Sequence, residues 1–137
     1  MQDEQALRRP IGWWLKEADA AIDGAFDAAL ASTGVDRRSW QVLSTLGRGP
    51  QPAADVVRSL SAFDPPTAVR EAIDGLARRG WVDAADPLRL TPAGSEQLAA
   101  LTPSVEAVRR RVSAALPDAD YVVLVRSLAR LVEGLRS

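Results

Sequence analysis

Residues Asp64 to Gly94, DPPTAVREAIDGLARRGWVDAADPLRLTPAG, constrain the fold of this chain more than any other stretch. Asp64 is a good N-cap, because its carboxylate can accept from the orphan amides of the next turn. Pro65 follows at N1, where a missing N–H costs nothing, and Pro66 is tolerated in the same turn for the same reason. Val69, Ile73 and Leu76 then recur at helical spacing and predict one apolar face. Gly80 follows Arg78-Arg79 and suits the left-handed position after a helix. Trp81-Val82 and Leu88-Arg89-Leu90 are short strand-like runs joined by Asp83 to Pro87, with the proline kept out of the strand interiors. Thr91-Pro92 is a second N-cap with proline at N1. A helix, a tight hairpin and a newly capped helix, in that order, make the pattern of a winged helix-turn-helix.

The flanking sequence is helical and narrowly apolar. Ile11, Leu15, Ala18, Ile22, Ala25 and Ala29 alternate by four and three, a heptad seam on a first helix from about Pro10 to Ser32. Thr33-Gly34 ends it. Asp36 caps a second helix, Arg37 to Leu46, with Trp40, Leu43 and Leu46 facing inward. Gly47 to Pro50 is a breaker cluster. A third helix runs from about Pro52 to Leu60 on Val56, Val57 and Leu60, and Phe63 is expected to plug the core in the turn that follows. Beyond the hairpin, Leu98, Leu101, Val105, Val108, Val112 and Ala115 resume the heptads. Pro117 interrupts them, and Tyr121, Leu124, Leu128, Leu131 and Leu135 carry a last seam. Asp118 and Asp120 sit where they would cap that last helix.

The expected fold class is therefore mainly α with a small β-hairpin wing. It divides into an N-terminal dimerisation helix over 1–35, a winged helix-turn-helix lobe over 36–94 and C-terminal dimerisation helices over 95–137, as one integrated domain. A lone chain would struggle to bury three seams. Pairing the terminal helices across a two-fold axis solves this, and a two-fold reader suits a palindromic DNA site.

Composition removes other classes. With 137 residues, no cysteine and no histidine, disulfides, thiol redox sensing and the usual zinc or haem ligation are not expected, and no cofactor is. No Ser/His or Cys/His pair, metal constellation or phosphate-cradling glycine loop points to an enzyme. No apolar run reaches membrane-span length and the N-terminus, MQDEQALRRP, lacks a signal-peptide core, so a cytoplasmic protein without a membrane partner is expected. Arginine outnumbers lysine sixteen to one, which is read as the mark of a GC-rich bacterial genome. Net charge is −1, and the stretch from Asp64 to Gly94 is itself negative by one, so charge alone does not point to nucleic acid.

Together SWQVLSTL at 39–46, AIDGLARRGWV at 72–82 and LTPAG at 90–94 resemble the MarR family of bacterial transcription regulators, over nearly the whole chain. The resemblance implies a homodimer that places its reader helices in successive major grooves of double-stranded DNA and its wings against the minor groove. It also implies a response to a small aromatic or acidic ligand held between the dimer helices and the reading lobe, and a ligand-responsive repressor is the expected role. Two departures stand out. The wing loop, DAADP, is short and has no arginine at its tip, leaving Arg89 on the returning strand as a partial substitute. The exposed face of the reader helix, with Thr67, Arg70, Glu71, Asp74 and Arg78, is close to neutral.

These departures keep a second function in view: a dimeric MarR-like scaffold with weakened DNA binding that serves as a protein-interaction or small-molecule-binding module. Several residues carry two readings. Arg70 reads a guanine edge and Thr67 a phosphate or a thymine methyl, or Arg70 pairs with Asp74 one turn on. Arg78 and Arg79 grip phosphates or stabilise the helix C-terminus. Arg37, Arg38, Arg48 and Arg58 hold flanking phosphates or are simply solvated. Trp13, Trp14 and Trp40 line a ligand pocket with Lys16, the only lysine, as the counter-charge, or they are core aromatics. The run Arg109-Arg110-Arg111 points in three directions on a helix and makes no single patch.

Overall fold

A computed structural model describes residues 2–137. Its elements, in chain order, are α1 (Gln2–Ala6), α2 (Ile11–Leu30), α3 (Arg37–Gly47), α4 (Ala53–Ser59), α5 (Pro66–Arg78), β1 (Val82–Asp83), β2 (Arg89–Leu90), α6 (Pro92–Ala115) and α7 (Asp118–Arg136). The fold is mainly helical with one antiparallel hairpin, in which Val82 pairs with Leu90 and Asp83 with Arg89. Helix α1 lies on the polar N-terminus, which carried no periodic signal. Trp14 Nε1 ties it to α2 by donating to the Ala6 carbonyl at 2.8 Å.

Local chemistry accounts for most of the boundaries. Asp36 caps α3 by accepting from the Ser39 amide at 2.8 Å. Gly80 follows the cap of α5 with φ of 79°, and Gly34 closes the turn after α2 with φ of 73°, a region closed to most side chains. Thr91 caps α6, with Pro92 at its first turn. The start of α5 departs from expectation. Pro65, not Asp64, is the N-cap, the helix begins at Pro66, and no side chain caps it. Asp64 is buried and turned toward α3 instead. The last helix differs in the same way. Pro117 is its cap residue without a side-chain bond, and Asp118 and Asp120 lie inside its first turn, where they favour the positive end of the helix dipole.

The core is continuous from the end of α2 to the middle of α6. Leu30, Val42, Leu43, Leu46, Val56, Val69, Ile73, Leu76, Val82, Leu88 and Leu101 are all buried in it. The predicted inward faces of α3, α4 and α5 are the observed ones. Phe63 does not join them. It is 56% exposed, because the tight turn after α4 sends it outward beneath the guanidinium of Arg37. The hairpin gains a third edge that was not foreseen: Gln51 exchanges both backbone hydrogen bonds with Leu88, at 3.0 and 2.8 Å.

The heptad seams separate into two kinds. On α6, Leu101, Val105 and Val108 are buried within the chain. On α2, Ile11, Leu15 and Ile22 are exposed, whereas Phe26 and Leu30 do the packing. Helix α7 has no buried residue at all.

Candidate nucleic-acid interface

The reader helix α5 is held by its apolar face and at both ends. Val69, Ile73 and Leu76 anchor it to the core. At its start, Arg38 Nη2 donates to Asp64 Oδ1 at 2.7 Å, and Arg37 Nη2 stands 3.8 Å from Asp64 Oδ2. Arg37 also reaches back to Asp23 on α2 at 3.2 Å. A chain of charges thus runs from α2 through α3 to Asp64, just ahead of the cap of the reader helix. The hydrogen bond from Arg38 lowers the Asp64 pKa below the ordinary carboxylate value, an effect that outweighs the cost of burial. Arg37 and Arg38 are committed here rather than offered to phosphates.

One hydroxyl ties the wing to the helices before and after it. Thr91 Oγ1 donates to the Gly80 carbonyl at 2.6 Å and accepts from the Gly94 amide at 3.0 Å. Gly94 has to be glycine, since a Cβ there would overlap the Trp81 carbonyl. This explains the sequence LTPAG in molecular terms: the threonine closes the helix end over the hairpin and the glycine lets the two backbones touch. Trp81 is covered by the Arg79 guanidinium, 4.7 Å from its ring, and Arg79 donates to the Gly34 carbonyl at 3.0 Å. Arg79 is therefore a strut, and Arg78 is left to face outward. The wing loop is turned by Asp83, whose carboxylate accepts from the Ala85 amide at 3.0 Å.

The structure places Thr67, Arg70 and Arg78 exposed on α5 and Arg89 exposed on β2. Among the described residues Arg70 makes no ion pair, with Asp74 or otherwise, so its guanidinium is free for a ligand. Arg58, on α4, is exposed but paired with Asp55 on the same helix. Arg89 lines an open cleft of about 590 Å³ with Arg48, between the end of α3, the wing and α6.

The four residues read as a ligand site do not share one cavity within the chain. Trp40 stacks on Phe26 with ring centroids 5.4 Å apart. The pair borders an open cleft of about 530 Å³ among α2, α3 and α4, with Ile22, Leu60 and Phe63 as its other apolar walls and Arg48 as its cation. Trp13 and Trp14 lie edge to face near the start of α2, with Arg9 over Trp13 at 4.4 Å. Thirteen residues separate Trp13 from Phe26 on α2, about 20 Å along its axis. Lys16 is exposed on the same early turns. Sequence reasoning missed Phe26 and Phe63 as cleft residues. Phe26 was hidden because it falls outside the heptad seam, on the face of α2 that packs against α3.

No protein-family model matches the sequence, and no curated protein does. Solved structures do. A probable transcriptional regulator from Pseudomonas aeruginosa is 28% identical, with 91% of this chain and 98% of that one covered and a TM-score of 0.74. A MarR family protein of Mycobacterium tuberculosis in complex with DNA is 26% identical over 94% of this chain and 99% of that one, with a TM-score of 0.70. The same protein in complex with salicylic acid is 25% identical over 90% and 96%, with a TM-score of 0.69. The structural neighbours across most of the chain are thus MarR family transcriptional regulators.

Proposed function

We propose that this chain, which has the MarR-type winged helix-turn-helix fold of transcription regulators, works as a homodimeric, ligand-responsive repressor that binds a palindromic operator in double-stranded DNA. The observation that carries the reading is the reader helix itself: rigidly anchored at Asp64, Leu76 and Arg79, yet exposed along Thr67, Arg70 and Arg78. A helix so held can be carried into a major groove as a rigid body. Thr67 and Arg70 contact the DNA from the N-terminal half of the helix, with Arg58, Arg78 and Arg89 as phosphate contacts around it. Its structural neighbours are regulators, not enzymes, in keeping with the lack of a catalytic pair in the sequence. Among the described residues no helix is long and apolar enough to cross a membrane.

The ligand, in this reading, is a small aromatic acid. The Phe26–Trp40 wall offers stacking and Arg48 a counter-charge. The cleft lies between α2, which belongs to the dimer, and the lobe that carries α5, so a ligand that prefers one spacing of the two would shift the reader helices. The second reading, a dimeric scaffold with weakened DNA binding, is favoured by one feature: two carboxylates, Asp83 and Asp86, on a wing with no tip arginine.

One experiment separates them. Fragments from the upstream region of its own gene are titrated with the full chain at several salt concentrations. A regulator binds at low salt, with affinity falling steeply as salt rises, and Arg70→Ala with Arg89→Ala lowers affinity by at least tenfold. No binding at low salt sinks the regulator reading and leaves the scaffold. Unchanged affinity in the double variant removes Arg70 and Arg89 from the interface.

A further inference from the structure

The outward face of α5 is chemically unusual for a surface meant to meet DNA. At about 100° per residue, the direction opposite the buried Val69, Ile73 and Leu76 is occupied by Thr67, Glu71, Asp74 and Arg78, with Arg70 on the flank. Two of the four outermost side chains are therefore carboxylates. Among the described residues neither Glu71 nor Asp74 has an ion-pair partner. Arg38, which shares a groove with Glu71 between α3 and α5, is already engaged by Asp64.

A carboxylate has only acceptors to offer. In the major groove guanine presents O6 and N7 and thymine O4, all acceptors, so a carboxylate brought against them is repelled and loses its water without return. Adenine has an amino donor, but its N7 acceptor lies beside it. Cytosine alone presents an amino donor with no acceptor on its own groove edge. The sequence of a tolerated operator is therefore restricted before any favourable contact is counted.

We infer that Glu71 is a specificity-determining residue that accepts from a cytosine amino group in each operator half-site, and that Glu71 with Asp74 rejects DNA lacking cytosine there. The inference rests on the regulator reading and deepens it. It gives the near-neutral reader face a purpose: general attraction to phosphates is kept low, and affinity returns only where a cytosine satisfies the carboxylate. Arg70, on the flank of the same turn, is placed to contact the backbone or a neighbouring guanine.

Selection from a random duplex pool at low salt, with the full-length wild type and with Glu71→Gln, tests it. A glutamine amide carries a donor as well as acceptors and so lifts the restriction without removing the side chain. The wild type is expected to enrich a palindrome with a C·G pair at one position of each half-site. Replacing that pair should cost on the order of tenfold in affinity. In Glu71→Gln the preference at that position should collapse to within about twofold, and affinity for unrelated duplexes should rise. Equal melting temperatures of the two proteins show that the change is not one of folding, since Glu71 is exposed. If Glu71→Gln keeps the wild-type preference at every position, Glu71 does not read the operator, and the regulator reading stands without it. If the wild type enriches no sequence and retains no duplex, both fall together.

Discussion

The carboxylate of Asp64 meets Arg38 at 2.7 Å and faces Arg37 at 3.8 Å, immediately before the two prolines that open the reader helix. Its side chain is only 6% exposed, so the pair is shielded from water on the carboxylate side, whereas Arg38 keeps 39% exposure. Removing the charge leaves Arg38 with at most a neutral acceptor in place of its ionic partner. Asp64→Asn should therefore destabilise the fold by about 1–3 kcal/mol at neutral pH, less than for a fully buried pair because Arg38 remains partly solvated. The pH dependence has a definite sign. A carboxyl whose folded pKa is lowered contributes stability above its unfolded pKa, and that contribution disappears as pH falls through the folded value. Urea denaturation at pH 7 and at about pH 3 should show the gap between wild type and Asp64→Asn narrowing on acidification. A gap that stays constant would mean the ion pair is not its source. In the sequence Asp64 reads as a cap because Asp-Pro-Pro is a good local start. Its real partner lies 26 positions away, and local propensity carries no information about such a contact.

Among the elements, the hairpin is the least self-sufficient. Each strand has two residues, and the hairpin depends on what surrounds it: Val82 and Leu88 buried in the core, the added bridge from Gln51 to Leu88, and the hydroxyl of Thr91. Gly94 is where α6 passes Trp81 at backbone contact. Gly94→Ala must push the two apart and should cost about 1–3 kcal/mol, more than the small gain an alanine brings to a helix position. Thermal melting would show it. A variant as stable as the wild type would mean that the hairpin and α6 are not rigidly joined. The helices of the lobe were legible because caps and apolar spacing agree, as at Asp36 and along Val69, Ile73 and Leu76. The reader face was legible too, since it is whatever that apolar spacing leaves over. The Gln51 bridge was not, since two paired residues have no period. Nor was the cleft beside Trp40, since it is made where three helices meet: Trp40 signalled it, but Phe26 and Phe63 join it only through tertiary packing. The heptads were legible as seams but not as to what they bury. The same three-four spacing lies inside the core at Leu101, Val105 and Val108 and outside it along α7.

On the scale of the whole molecule, the unburied seams are the feature that a single chain leaves unsolved. Tyr121, Leu124 and Leu135 are 49%, 44% and 78% exposed, and on α2 Ile11 and Ile22 are 60% and 46% exposed. Exposed apolar residues in rows along two helices are the kind of surface that marks an interaction site. Fully burying an exposed leucine is worth about 1.5–3 kcal/mol, and a half-exposed one correspondingly less, so a second copy that covers several of these residues would add to the stability. Two consequences follow from mass action. The melting temperature should rise with protein concentration, because the partner binds only the folded state. Leu124→Glu combined with Leu131→Glu, which puts two charges on the α7 seam, should convert a dimer to a monomer in sedimentation velocity at micromolar concentration. The same variant should lose affinity for a palindrome by far more than for a single half-site, because the second reader then no longer binds as part of the same molecule. A wild-type chain that sediments as a monomer, with a melting temperature independent of concentration, would refute the homodimer. An intact dimer in the double variant would move the interface away from α7, leaving the α2 seam as the place to look.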